Sequence, residues 1–202
     1  FGTDASELNI TFGGITVTPL AVADDEISIR VPAELPIGVA SIKVQRNDGN
    51  QITVQFTVVD PIVGEWVSEG EDNIAPLLYG DPFLVRKIEA TFKADGSYIV
   101  VQTDSNDVAT TLTGVYVAAA GGAAAPNDGI RTITAEQGQP VSITAEGIYE
   151  VTVGSSEVTM MYEVVQTAPP IGVAKPTPAG GFGSTAGGAF GMTNVQKYVK
   201  ID

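Results

Sequence analysis

The chain alternates apolar and polar residues with period two along most of its length, the signature of half-buried β-strands. Ile27, Ile29 and Val31 alternate with Ser28 and Arg30, and Ile42 and Val44 with Ser41, Lys43 and Gln45. Ile52, Val54, Phe56 and Val58 alternate with Thr53, Gln55 and Thr57. Gly13-Gly14 and Asn47-Asp48-Gly49-Asn50 read as hairpin turns, because these residues tolerate positive φ. Pro32 and Pro36 bracket a crossing between strands, since proline donates nothing to a ladder. About five short strands are expected in residues 1–60, arranged as an antiparallel sandwich.

A boundary is expected near Asp60-Pro61, where a new pattern opens at Ile62-Val63-Gly64-Glu65-Trp66. Strands follow near 63–69, 84–94, 97–103, 110–118, 130–135, 147–153, 157–167 and 193–201. Ile88, Ala90 and Phe92 should share one side, facing Tyr98 and Val100 across the turn at Ala94–Ser97. Val158, Met160, Tyr162 and Val164 form another inward row. Met161 and Val165 on the reverse face suggest a strand covered on both sides. One short helical turn is expected around Ala75-Pro76-Leu77-Leu78. Eight successive antiparallel strands leave two awkward edges, which closure into a barrel removes.

Residues 168–193 break the pattern with seven glycines, four prolines and Lys175 as the single charge. Connections of this length inside a compact domain are usually lids, binding loops or disordered. The loop is expected to arch over one barrel end and to carry specificity. Its two large rings, Phe182 and Phe190, either anchor it or help wall a mouth with Tyr79.

Charge and composition narrow the chemistry. The chain has 202 residues, 10 basic and 24 acidic, with a net charge of −14 and neither cysteine nor histidine. Disulfides, thiolate nucleophiles, Cys/His zinc sites and histidine-based triads are therefore excluded. Strong acidity also argues against binding a phosphate backbone. No apolar run reaches the ~18 residues of a membrane-spanning helix. The chain opens on Phe1-Gly2-Thr3-Asp4 without a signal core, so a leader is expected to have been removed or to lie upstream. Residues 1–60 hold three basic and eight acidic side chains, and residues 61–202 seven and sixteen. The two parts repel weakly, so a small interface with hinge freedom is expected.

Residues 1–59 resemble the IPT/TIG type of immunoglobulin-like domain. The likeness rests on Phe1-Gly2, Ile10-Thr11-Phe12-Gly13-Gly14, Ile27-Ser28-Ile29-Arg30-Val31-Pro32, Gly38 before Ile42-Lys43-Val44, and Phe56-Thr57-Val58. Such domains carry strands ahead of the Phe-Gly step, so an exposed sheet edge is expected near 1–12 or 26–31, open to a protein partner. Residues 61–202 resemble a lipocalin-like β-barrel. Gly64-Glu65-Trp66 matches the Gly-x-Trp step of the first barrel strand. Phe92-Lys93-Ala94-Asp95-Gly96-Ser97-Tyr98 and Gly114-Val115-Tyr116 match later hairpin and strand motifs. The stretches 162–167, 176–185 and 194–198 look like a domain frequent in surface lipoproteins of the Bacteroidetes. The resemblance implies an extracytoplasmic, non-catalytic module: an Ig-like spacer presenting a barrel.

The expected fold is all-β, with an Ig-like domain at 1–60 and a lipocalin-like barrel at 61–202. Trp66 is assigned to the core. Tyr79, Tyr98, Tyr116, Phe182, Phe190 and Asn194 are candidates for binding a glycan or a small apolar ligand at the barrel mouth. The alternative is a purely structural module. A more distant alternative is a carboxylate-based glycosidase using strand acids such as Glu89, Glu150 or Glu163, which are otherwise expected on the outer, solvated face. Asp24-Asp25-Glu26, Glu69–Asp72 and Asp104–Asp107 are oxygen-rich enough for calcium, but read better as solvated turns. Gly180–Thr185 lacks the lysine of a phosphate loop. Neither a metal nor a cofactor is expected.

Overall fold

The computed structural model describes residues 4–32, 35, 37–122, 125 and 129–201. Phe1, Gly2 and Pro36, quoted above, lie outside them. The chain divides into two compact units, Phe1–Asp60 and Pro61–Asp202.

The first unit contains β1 (Leu8–Phe12), β2 (Ile15–Val17), β3 (Ala21–Val22), β4 (Ile27–Ser28), β5 (Gly38–Arg46) and β6 (Gln51–Val58). One sheet has the order β2-β1-β5-β6, and β3 and β4 form a separate two-stranded ribbon. Gly13 at φ 56° and Gly14 at φ 90° turn β1 into β2, conformations that Cβ-bearing residues avoid. Ile10, Phe12 and Val44 are buried, and the Phe12 and Phe56 rings meet edge to face at 4.9 Å. Of the two places where an edge is expected, 1–12 or 26–31, the second holds one: β4 pairs with β3 alone, whereas β1 in the first is not an edge. The Gly13-Gly14 turn folds β2 outward, so β1 pairs on both sides, with β2 and with β5. Among the described residues the edges of the four-stranded sheet are β2 and β6.

The second unit is a closed barrel of eight antiparallel strands joined in sequence order. They are β7 (Gly64–Glu69), β8 (Val85–Phe92), β9 (Ser97–Asp104), β10 (Ala109–Ala120), β11 (Arg131–Gln139), β12 (Ile143–Val153), β13 (Val158–Ala168) and β14 (Gln196–Lys200). Closure is made by β14 against β7, through Val199–Val67 and Lys200–Trp66. The expected helical turn is α1 (Pro76–Tyr79), with proline in its first turn. Phe92 pairs with Tyr98 and Ala90 with Val100, so the inward rows read from the alternation are those the barrel uses.

Two glycines in the strands let the wall coil tightly. A Cβ on Gly147 would lie 1.9 Å from the carbonyl oxygen of Glu163, and one on Gly114 would lie 2.0 Å from that of Glu136. Each faces the backbone of the neighbouring strand, where a barrel must bend. Register shifts flank both positions, at Thr113/Gly114 and Thr144/Ala145.

One end of the barrel is filled. Trp66 is fully buried, and its Nε1 donates to the Ile62 carbonyl at 2.7 Å. Phe92, Tyr116, Ile133, Tyr149 and Met160 join it in one continuous core.

Candidate functional site: the barrel lumen

Above that core the lumen opens into a cavity of about 240 Å³. On the scale of liquid water, ~30 Å³ per molecule, this is room for roughly eight waters. Among the described residues the lining contains no charged side chain. Phe92, Tyr98, Tyr162 and Tyr198 form the aromatic floor, and Ile88, Val100, Leu112, Ile143 and Val164 are part of the wall. The Phe92 and Tyr162 rings lie 6.5 Å apart and the Tyr162 and Tyr198 rings 6.2 Å apart, the latter edge to face.

Four polar groups facing the cavity accept and donate nothing among the described residues: the hydroxyls of Tyr98, Tyr162 and Tyr198, and the Gln102 amide. Other polar lining groups are already engaged. The Gln196 amide oxygen accepts from Ala75 N at 2.9 Å, and its nitrogen donates to Ser68 Oγ. Gln137 donates to the Val141 carbonyl at 2.8 Å. Asn194 Nδ2 donates to the Val164 carbonyl at 2.9 Å.

The three phenols hold their protons strongly. Burial pushes the Tyr162 hydroxyl far above its ordinary value, and the neighbouring Tyr198 and Tyr98 push it further. Burial alone raises Tyr198 and Tyr98. An ionised phenol there would have no cation to answer it. Below the ordinary value of about 10, folded and unfolded chains alike keep the proton. Above it only the unfolded chain ionises, so stability falls as pH rises. The expected slope is about 1.4 kcal/mol per pH unit for each phenol that stays neutral in the fold. Urea midpoints measured between pH 9 and pH 11 should fall for the parent and fall less steeply for Tyr162→Phe and Tyr198→Phe. Equal slopes would refute the assignment.

The candidates named from sequence are distributed over several places. Tyr98 and Asn194 line the cavity. Tyr116 lies below it, edge to face with Phe92 at 5.2 Å, its hydroxyl donating to the Lys93 carbonyl. Tyr79 is outside the lining, its ring stacked under the Arg86 guanidinium at 4.0 Å. Phe182 borders a shallow groove formed with Lys175, Thr177 and Ser184. Phe190 is half-buried in the same connection and does not line the cavity. A mouth walled jointly by Tyr79 and Phe182 is therefore not built.

The reason lies in Glu163. The alternation correctly puts it on the outer face, but the expectation of a solvated side chain fails, because it is fully buried there. Its carboxylate accepts from Gly183 N at 2.7 Å, Thr185 N at 3.0 Å and Thr185 Oγ1 at 2.5 Å. Val165, on the same face, is buried too. The glycine-rich connection is thus strapped along the outside of β13 rather than arched over the mouth. Gly183, at φ 85°, comes so close to Gly191 that a Cβ would meet that backbone at 3.2 Å. Only the end of the strap reaches the cavity, where Asn194 Nδ2 also donates to Thr185 Oγ1 at 3.2 Å. Lys175 pairs with Glu146, whose carboxyl is held below its ordinary value by that bond and by Thr167.

Tyr162, Tyr198 and Gln102, missed as candidates, sit on inward rows that the alternation identifies. Their sequence signal is a polar tip on an otherwise apolar row. The acidic turn at 104–107 is self-contained: Asp104 accepts from Val108 N and Asn106 N, which hold its carboxyl below the ordinary value. No cluster of three acids able to hold a metal occurs among the described residues.

Residues 1–58 match the family model described as IPT/TIG domain. No curated protein and no solved structure matches the chain. The class defined by fold and family together is an Ig-like TIG domain followed by a closed eight-stranded antiparallel barrel with a partly open interior.

Proposed function

We propose that this chain is a non-catalytic, extracytoplasmic binding module in which the TIG domain is a spacer and the lipocalin-like barrel holds one small, uncharged, ring-bearing molecule. TIG domains occur in extracellular and surface proteins, which supports the compartment. An outer-membrane lipoprotein setting fits the sequence resemblance of the barrel. The observation that carries the binding reading is the cavity itself: an aromatic floor with three protonated phenols that lack protein partners. These hydroxyls face the open cavity and are not sealed from water, so a ligand that accepts from them takes the place of water there. A charged ligand would enter a lining with nothing to neutralise it. The space inside the lumen fits about one ring, so a longer glycan would project from the mouth.

Calorimetry with three probes tests this: coumarin, which has a ring and an acceptor; naphthalene, which has the ring alone; and 2-naphthoate, which adds a charge. Coumarin should bind best, and Tyr162→Phe should weaken it roughly fivefold, the worth of one hydrogen bond of ~1 kcal/mol. Preference for 2-naphthoate, or no binding by any probe at millimolar concentration, would refute the reading.

A structural module is the second reading, and β6 favours it. This edge strand, Gln51–Val58, has neither charge nor proline to blunt it, and Ile52 and Val54 are about half exposed. Such an edge pairs readily with a strand from a protein partner.

A further inference from the structure

The two ends of the barrel differ in chemistry. Four connections meet at the cavity end: 70–84 between β7 and β8, 105–108 between β9 and β10, 140–142 between β11 and β12, and 169–195 between β13 and β14. Each presents a large apolar side chain to solvent: Leu77 and Phe83, Val108, Val141, Ile171 and Met192, all between 43% and 63% exposed. At the filled end, the two connections that are described throughout, the turns 93–96 and 154–157, read Lys-Ala-Asp-Gly and Gly-Ser-Ser-Glu. Val153, the last residue of β12, and Ile201, the residue after β14, are exposed there. Single exposed apolar residues on a surface are ordinary; one or more on every connection of one end is not.

Neighbouring connections touch. α1, which carries Leu77, packs against the turn at 191–194, which carries Met192. The Ser105 amide donates to the Leu84 carbonyl at 2.9 Å, tying the Val108 turn to the segment that holds Phe83. The rim is also acidic. Glu71, Asp72, Asp81 and Asp107 are exposed on these connections. The single base on them, Lys175, is paired with Glu146. At the adjoining strand starts, Arg86 donates to the Tyr79 carbonyl and Lys197 to the Asp72 carbonyl.

We infer that the cavity end of the barrel is a docking surface for a basic, apolar-anchored segment of a protein partner. Apolar side chains supply the anchor and the unpaired acids supply the complement. An anionic membrane surface would be repelled by the same acids, and a second copy would bring like charge to like. The inference does not depend on the cavity holding a ligand.

The test is fluorescence anisotropy of the full chain with three short labelled peptides of amphipathic helical pattern: Leu/Lys, Leu/Glu and Ser/Lys. The Leu/Lys peptide should bind, and the other two should bind at least roughly tenfold more weakly. Leu77→Ser/Phe83→Ser/Met192→Ser and Glu71→Lys/Asp72→Lys should each weaken Leu/Lys binding about tenfold. Glu65→Lys/Glu157→Lys, at the filled end, should leave it within about twofold. All these positions are exposed, and circular dichroism of each variant confirms that it folds. Equal binding of Ser/Lys and Leu/Lys, or equal loss from charge reversal at either end, would overturn the inference as a mere field effect of the net charge. So would binding to phosphatidylcholine vesicles, or concentration-dependent dimerisation in sedimentation, without binding of Leu/Lys.

Discussion

Replacing Glu163 by alanine should remove about 3–5 kcal/mol from the stability of the barrel, because it orphans donors that the strap has buried. Its carboxylate accepts from two backbone amides and one hydroxyl, and bonds to a charged acceptor are worth ~1.5–3 kcal/mol each before their non-additivity. Glu163→Gln keeps an acceptor oxygen but turns amide hydrogens toward a donor, so it should lose roughly half as much. Glu150→Ala, on the same face of the adjoining strand β12, makes no such set of bonds and should change stability by no more than about 0.5 kcal/mol. The single tryptophan of the chain lies in the barrel core, so urea unfolding followed by its fluorescence reads this unit directly. Hydrogen exchange supplies the second readout: protection of the Gly183 and Thr185 amides should collapse in Glu163→Ala while that of the strand core persists. Unchanged protection would show that the strap is held by something other than Glu163.

The same residue marks the limit of what the sequence discloses. Local alternation identifies all eight barrel strands, because every one repeats apolar and polar residues over several steps and the inward rows follow from period two. The hairpin partners Phe92 and Tyr98 follow as well, since a short turn fixes register. The TIG resemblance is legible from its Phe-Gly-Gly turn and its paired alternating strands. What covers an outer face is not a local property. Glu163 looks like a solvated strand acid until residues twenty positions away return to bury it. A hint was present: Met161 and Val165 share its face, so a glutamate stands in an otherwise apolar outer row. The cavity was also beyond reach. Alternation shows that Tyr98, Tyr162 and Tyr198 point inward, but whether inward rings fill a lumen or line it depends on side-chain volumes summed around eight strands. Tyr79 was misplaced for a similar reason, because Arg86 captures its ring across a turn. In the first unit, Ile27–Val31 alternates well but only Ile27 and Ser28 pair. A strand needs a partner in register as well as a pattern.

Gly147→Ala should be among the most damaging single-methyl additions this chain can receive, and the strap explains why. The added Cβ would sit 1.9 Å from the Glu163 carbonyl oxygen and 2.7 Å from the Val164 Cα. Both are backbone atoms, so no rotamer change relieves the contact, and β12 must separate from β13. That pair is also what holds Glu163 against Gly183 and Thr185, so the strap should loosen with the sheet. Overpacking usually costs ~1–3 kcal/mol, and a fixed backbone obstacle places the expected loss at the upper end or beyond, at about 3 kcal/mol or more. Gly114→Ala should behave alike, with its Cβ 2.0 Å from the Glu136 carbonyl oxygen. Gly138, in β11, is the control: its nearest obstacle is 3.8 Å away and its φ is not positive. Gly138→Ala should be neutral, or stabilising by about 0.5 kcal/mol through the lower entropy of the unfolded chain. Urea unfolding of the three variants, read by Trp66 fluorescence, separates these expectations. If Gly147→Ala matched Gly138→Ala, the barrel would be wider at β12 than described, and the tight coil that seats the strap on β13 would be wrong.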